Sequence, residues 1–125
     1  MYAVNYAASS DFADRNGLAV SVANGVRDES DHIQSIAANC PNTRTVLGGY
    51  SQGALVTGFT TADAAPAAVP ASIAPKPLPP QVADHVAAVV LFGDPSPEFL
   101  QSYGAPPVTV GGLYAPKDHR VVRTG

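Results

Sequence analysis

The chain has 125 residues, of which 46% are hydrophobic and 14% charged, and its net charge is −3. This composition allows one domain with a buried core, and it excludes a disordered chain or two full-size domains. Its seven basic residues are scattered until a loose C-terminal cluster, which excludes a nucleic-acid-binding footprint. No apolar run reaches the roughly 18 residues of a membrane span, and the N-terminus lacks the basic start and apolar stretch of a signal peptide.

The N-terminal third is predicted to form a short strand followed by a long amphipathic helix. Weak alternation predicts the strand over Tyr2 to Tyr6. Apolar residues at helical spacing predict the helix from about Leu18 to Asn39, weakened by Gly25 and ended by Cys40 and Pro41. The apolar positions are Val22, Val26, Ile33, Ile36 and Ala37, and the other faces carry Arg27, Asp28, Glu29, Asp31 and His32.

A strand, a tight turn and a second helix are predicted around Ser51. Thr45 to Leu47 is a short β-branched and apolar run, typical of a strand buried on both faces. Ala54 to Ala65 favours a helix. In the stretch VLGGYSQGA, Ser51 lies between Gly49 and Gly53 at the junction of these two elements. This is the position of the serine in a nucleophile elbow, so Ser51 is a candidate nucleophile.

The predicted turn also has a chemical consequence for the residue that follows the serine. The second helix directs its N-terminal N–H groups at the site of reaction, so the N–H of Gln52 is a candidate oxyanion-hole donor. The flanking glycines are expected to be needed because larger side chains would collide where the chain reverses. A serine hydroxyl also needs a base. The alternative is a structural glycine-rich bend in which Ser51 has no chemical role.

The second half of the chain is predicted to contain a long loop and a central strand. Six prolines among alanines make Pro66 to Pro80 a semi-rigid surface loop, with a domain linker as the alternative. Val86 to Phe92 is a continuous apolar run, typical of a central parallel strand. A short helix over Ser96 to Leu100 and a strand over Val108 to Tyr114 complete an order typical of an α/β layered fold with a mostly parallel sheet.

Three segments form a wider pattern, whose core motif GYSQG, preceded by CPNT, is far more specific than G-x-S-x-G. They are CPNT at Cys40 to Thr43, the run Val46 to Ala54, and VVLFGDP at Val89 to Pro95. Together they resemble the cutinase family of serine esterases, especially its actinobacterial members, from about Val4 to Lys117. The resemblance implies a secreted α/β-hydrolase with a three-layer fold that hydrolyses lipid, cutin-type or short-to-medium acyl esters.

The resemblance also carries roles for individual residues. It implies that Ser51 is the nucleophile of a Ser-Asp-His triad and that the backbone N–H of Gln52 forms half of the oxyanion hole. It implies that Cys40 matches a cysteine that family members pair with a partner near their N-terminus. The residues alone leave three alternatives for Cys40: a buried thiol, an intermolecular partner, or a cysteine whose mate is missing. No grouping of His, Cys and carboxylates has metal-ligand spacing and no glycine pattern suits a nucleotide phosphate, so neither a metal nor another cofactor is predicted.

The sequence departs from the family pattern at both ends. The family has a further N-terminal strand with the second oxyanion donor, and it places the catalytic Asp and His in later segments. Residues 1–125 are therefore expected to form a single partial domain. Asp118 and His119 follow Ser51 in the right order, but adjacent residues of an extended segment point to opposite sides, which favours a solvated charged tail. Asp94 is interpreted as a turn residue, and His85 lies at the wrong end of its strand.

Two hypotheses of different classes follow. The first is a cutinase-like carboxylic ester hydrolase that acts on an ester or lipid substrate through Ser51 and an acyl-enzyme. The second is a truncated, catalytically inactive chain, present as a binding or antigenic surface protein or as a gene remnant. In either case a lacking strand would leave an exposed sheet edge, which favours self-association. An acyltransferase or thioesterase with the same turn stays open, because the turn specifies an acyl-enzyme and not the acceptor.

Overall fold

The computed structural model describes residues 1–11, 13–61, 76–93, 95 and 121–124. The predicted helix over Ser96 to Leu100, the predicted strand over Val108 to Tyr114 and most of the proline-rich segment lie outside the described residues. The described elements are, in chain order, α1 (Arg15–Asn39), β1 (Thr45–Tyr50), α2 (Gln52–Thr60), α3 (Pro80–Ala83), β2 (Val86–Phe92) and β3 (Val121–Thr124). No described helix is both long and apolar enough to cross a bilayer.

The three described strands form a parallel sheet in the order β1, β2, β3. β1 lies beside β2 from Thr45 opposite Val86 to Tyr50 opposite Phe92, with one irregularity after Thr45. β2 occupies its predicted range, as expected for a continuous apolar run that is paired on both sides. Since the strands are parallel, their carboxyl ends meet at one edge of the sheet. The predicted α/β class with a parallel sheet is confirmed.

At the ends of the chain one predicted strand is wrong and one strand is not predicted. Tyr2 to Tyr6 is not a strand, because the N–H of Asn5 and the hydroxyl of Tyr2 donate to Oδ2 of Asp28, at 2.8 and 2.7 Å, so the segment is bound to α1 instead. Val121–Thr124, for which no element is predicted, is strand β3 and pairs with the second half of β2. The unpaired backbone groups of β2 offer hydrogen bonds to any extended segment beside them, whatever its charge.

Helix α1 begins at Arg15 rather than Leu18, because Oδ1 of Asp14 accepts a hydrogen bond from the N–H of Gly17 at 3.0 Å. Its predicted apolar face is confirmed by the burial of Val22, Val26 and Ile33.

Helix α2 begins at Gln52, directly after Ser51, and ends at Thr60. The rest of the buried apolar core consists of Leu47, Ala54, Leu55, Val56, Leu78, Val86, Val89 and Leu91. The helices α1 and α2 therefore share one core with the sheet.

The contact between α1 and α2 depends on Gly25. A Cβ atom at this position would lie 2.9 Å from Cγ2 of Val56 and 3.1 Å from the ring of Tyr6. The glycine that weakens α1 as an isolated helix therefore lets α1 and the N-terminal segment pack closely against α2.

The sequence places Glu29 on a face of α1 other than the apolar one. The structure instead buries it between α1 and α2, with 5% exposure. Its carboxylate oxygens accept hydrogen bonds from Oγ1 of Thr57 at 3.2 Å and of Thr60 at 3.0 Å. Burial raises its pKa to about 7, although both hydroxyl groups act in the opposite direction. The two threonines are what makes this burial tolerable.

The end of the proline-rich segment packs against the core instead of lying at the surface throughout. Leu78 is buried, and Pro80 occupies the first position of α3, where its missing N–H costs nothing. A loop interpretation based on proline content alone misses this single turn of helix.

The two faces of the sheet have different environments. Leu47 and Gly49 belong to the face against α2, since a Cβ atom on Gly49 would overlap the backbone of Gly53. On the opposite face Val46, Tyr50 and Phe92 are 68%, 76% and 49% exposed. In the described part of the chain, this second face is apolar and open.

Candidate active site

Ser51 lies on the turn between β1 and α2, at the carboxyl edge of the sheet. Its backbone has φ 54° and ψ −115°, a conformation that residues with a side chain rarely adopt. The N–H of Ser51 donates to the carbonyl oxygen of Phe92 at 2.9 Å, and its own carbonyl accepts from Ala54 and Leu55 at 2.9 and 3.3 Å. The turn is thus held by the sheet on one side and by the helix on the other, and the half-buried Ser51 side chain does not cap α2.

The two glycines beside Ser51 have different roles. A Cβ atom on Gly49 would overlap the carbonyl group of Gly53 and lie 2.7 Å from the backbone nitrogen of Ala54. A Cβ atom on Gly53 would have the hydroxyl of Tyr6 as its nearest neighbour, at 3.9 Å. The expectation that both glycines are needed for the turn therefore holds for Gly49 and is wrong for Gly53, whose backbone, and not its missing side chain, makes the close approach.

Gln52 is the first residue of α2, where backbone N–H groups have no partner within the helix. Its side chain is anchored on both sides. Oε1 accepts a hydrogen bond from the hydroxyl of Ser21 at 3.2 Å, and Nε2 donates to the carbonyl oxygen of Ser9 at 2.8 Å. Sequence reasoning identified the backbone N–H of Gln52 but missed these side-chain contacts, because Ser9 and Ser21 carry no motif.

A groove of about 600 Å³ lies between the N-terminal segment and β1, and helix α1 lines it as well. It reaches Gly49, Tyr50 and Gly53, but neither Ser51 nor Gln52 is among its lining residues. The groove therefore runs beside the turn rather than over the serine hydroxyl.

The two described histidines are not placed to act on Ser51. His85 precedes β2, and its Nδ1 lies 3.3 Å from the carbonyl oxygen of Thr43, which precedes β1, so this ring is at the amino edge of the sheet. His32 stacks on Tyr2, with ring centroids 3.6 Å apart. It lies about 16 Å further along α1 than Ser21, the residue that contacts Gln52. Asp94, Asp118 and His119 lie outside the described residues.

Cys40 directly follows α1, and its backbone N–H donates to the carbonyl oxygen of Ile36 at 2.7 Å. Its thiol is free and exposed, so the alternative of a buried thiol is excluded. Among the described residues, no three His, Cys, Asp or Glu side chains are arranged to hold a metal ion.

Comparison with known proteins identifies the fold and then the family. The chain is similar to a solved cutinase of Trichoderma reesei in complex with a phosphonate inhibitor, with 30% identity and a TM-score of 0.54 over 96% of this chain and 41% of that chain. It shares the α/β-hydrolase fold with that protein. The sequence profile of the Cutinase family matches residues 1–119. The chain belongs to the cutinase family.

Two relatives in Mycobacterium tuberculosis match along the whole chain. They are the probable carboxylesterase Culp7, with 54% identity, and the probable carboxylesterase Culp5, with 48%. The matched region makes up 66% of Culp7 and 67% of Culp5. The chain therefore spans about two thirds of the length of these relatives.

Proposed function

We propose that this chain carries the nucleophile of a cutinase-like carboxylic ester hydrolase that acts on lipid, cutin-type or short-to-medium acyl esters. Oγ of Ser51 attacks the ester carbonyl carbon, and the backbone N–H of Gln52 donates to the oxyanion of the tetrahedral intermediate. Collapse of the intermediate releases the alcohol and leaves an acyl-enzyme on Ser51. Water then attacks the acyl carbon and releases the acid.

The backbone conformation of Ser51 is the observation that carries this proposal. A non-glycine residue at φ 54° costs about 1–3 kcal/mol, a cost that glycine would avoid. A serine with only a structural role gains nothing from this conformation, whereas a nucleophile gains a position at the start of a helix. The description of both mycobacterial relatives as probable carboxylesterases supports the same reaction class.

The proposal requires a general base that takes the proton of the Ser51 hydroxyl. Since His32 and His85 are remote from the turn, the base belongs to a part of the protein outside the described residues. The interpretation of Asp118 and His119 as a solvated tail stays a prediction.

Labelling with a fluorophosphonate tests the proposal directly, because this reagent phosphonylates only an activated serine. We expect a single mass adduct on the native chain and none on Ser51→Ala. A folded native chain that takes up no adduct would contradict the proposal and support the catalytically inactive alternative.

The acceptor is tested separately from the nucleophile. Acyl esters of graded chain length should be hydrolysed to free acid, with the fastest turnover for the preferred chain. Accumulation of a transacylation product in the presence of an added alcohol or amine, at the expense of free acid, would indicate an acyltransferase instead.

We also propose that the protein is secreted and that it self-associates through the open edge of β1. Membership of the cutinase family supports secretion, which is tested by mass spectrometry of culture filtrate against cell lysate. Self-association is supported by β1, which pairs only with β2 among the described strands and exposes Val46 and Tyr50 beside that edge.

A further inference from the structure

A closed ring of three hydrogen bonds joins the N-terminal segment, α1 and the start of α2. The N–H of Ser9 donates to Oγ of Ser21 at 3.1 Å. The hydroxyl of Ser21 donates to Oε1 of Gln52 at 3.2 Å, and Nε2 of Gln52 donates to the carbonyl oxygen of Ser9 at 2.8 Å. Each polar group in the ring has its partner in another segment of the chain.

We propose that Ser21 is a positioning residue for the ester hydrolysis proposed above, on which this inference rests. Ser21 acts through the side chain of Gln52, and it thereby holds the backbone N–H of Gln52 in the direction that the oxyanion requires. Ser21 itself does not touch the reacting atoms.

The strained turn explains why such an anchor is needed. The direction of the Gln52 N–H is set by the peptide plane between Ser51 and Gln52, and hence by the ψ of −115° at Ser51. Relaxation of Ser51 to a negative φ would rotate this plane and turn the N–H away from the substrate. The first residue of a helix has no intrahelical hydrogen bond on its N–H to oppose the rotation. The two hydrogen bonds to the Gln52 side chain oppose it.

Backbone strain elsewhere in the ring supports the same interpretation. In the described part of the chain, the non-glycine residues with positive φ are Ala8, at 48°, and Ser51, at 54°. Each directly precedes one end of the hydrogen bond between Ser9 and Gln52. Strained residues persist only where the surrounding contacts hold them, and they are concentrated at functional sites.

Ser21 is the best member of the ring to substitute, because it is buried and its hydroxyl makes two of the three hydrogen bonds. It is 3% exposed, on the face of α1 that packs into the core. Its hydroxyl satisfies one donor and one acceptor at once, so Ser21→Ala would leave the Ser9 N–H and Oε1 of Gln52 without their partner in one step. A change at Ser21 alters the anchor while every atom of Ser51 and Gln52 is kept.

The test is the second-order rate of fluorophosphonate labelling in four chains: native, Ser21→Ala, Gln52→Ala and the double variant. We expect Ser21→Ala to slow labelling roughly tenfold, the size of its one lost hydrogen bond to Gln52, and Gln52→Ala, which loses both hydrogen bonds of that side chain, to slow it at least as much. The double variant should be no slower than Gln52→Ala alone, because Ser21 acts through that side chain. With a soluble ester, kcat should fall in Ser21→Ala while KM stays unchanged.

Ile33→Val is the matched control for a merely structural effect. Ile33 is buried on α1, about three turns beyond Ser21. Ile33→Val should lower the melting temperature about as much as Ser21→Ala does. The labelling rate of Ile33→Val should stay the same as that of the native chain.

Two results would overturn the inference while the proposed function stands. They are a native labelling rate in Ser21→Ala, or a double variant slowed by the full product of the two single effects. If the native chain itself is not labelled, the proposed function fails and this role of Ser21 fails with it. If Ser21→Ala does not fold, Gln52→Glu replaces it, since it sets a carboxylate oxygen against the carbonyl of Ser9. A native rate in Gln52→Glu would then overturn the inference.

Discussion

The two faces of the sheet differ in how far their packing is complete. On one face Leu47 and Gly49 are covered by α2, which itself packs against α1. On the other face Val46 and Tyr50 are largely exposed, although both are residues that a core would accept. The described part of the chain therefore supplies the contacts that hold the Ser51 turn. It covers only one of the two faces of the sheet. Substitutions on the two faces should therefore have different consequences.

Gly49→Ala is expected to have the largest effect, because its methyl group would overlap the backbone of Gly53 on the closed face. Nothing flexible can move aside there, so we expect a loss of roughly 3 kcal/mol or more in the free energy of unfolding. Fluorophosphonate labelling should be abolished as well. Urea denaturation followed by circular dichroism gives the first quantity.

Gly53→Ala is the matched control for Gly49→Ala. A methyl group at Gly53 has 3.9 Å to its nearest neighbour, and alanine is the better helix former by about 1 kcal/mol. This variant should be at least as stable as the native chain. Equal destabilisation by the two substitutions would contradict the assigned geometry of the turn.

Glu29→Gln is expected to have the next largest effect on the free energy of unfolding. The size of this effect depends on pH. The folded-state pKa of about 7 lies above the ordinary value of 4.5, so the unfolded chain loses this proton first. The contribution of Glu29 to native stability should therefore be fully present below pH 4.5 and should fall by about 3 kcal/mol as the pH rises to 7. Thr57 and Thr60 donate hydrogen bonds to this carboxyl, and Tyr6 and Asp28 interact with it electrostatically.

Urea titrations at a series of pH values check this expectation. Glu29→Gln should lose most of the decline between pH 4.5 and 7, whereas Asp31→Asn, an exposed change on the same helix, should keep it. An unchanged slope in Glu29→Gln would assign the pH dependence to other groups.

Val46→Lys, on the open face, is expected to change stability least. Its side chain is 68% exposed, so the free energy of unfolding should change by no more than about 0.5 kcal/mol. A charge beside the edge of β1 should instead shift the chain toward monomer in sedimentation velocity. Asn42→Lys, in the exposed turn before β1, adds the same charge and should leave the association unchanged. A native chain that is monomeric throughout would remove the proposal of edge association.

The sequence predicts best those elements whose signal is local. Val86 to Phe92 is predicted to the residue, because a continuous apolar run needs no knowledge of its neighbours. β1 continues through Gly48 to Tyr50, beyond the predicted Leu47, because pairing with β2 supplies hydrogen bonds that glycine propensity does not reveal. β3 is missed for the same reason.

The candidate site divides in the same way. The position of Ser51 on a strand-to-helix turn follows from the local pattern of glycines. The anchoring of Gln52 depends on partners that lie 31 and 43 residues away, and the burial of Glu29 on threonines 28 and 31 residues away. Such contacts become visible only when the helices are packed.

The position of Cys40 offers a practical advantage for spectroscopy. It is the single cysteine of the chain, and it is exposed at the far end of α1, about 28 Å along the helix from Ser21. A maleimide dye on Cys40 and a fluorescent phosphonate on Ser51 would form a donor and acceptor pair at a separation suited to energy transfer. One molecule would then report, without further cysteine engineering, whether the turn stays docked on α1 in the phosphonylated protein.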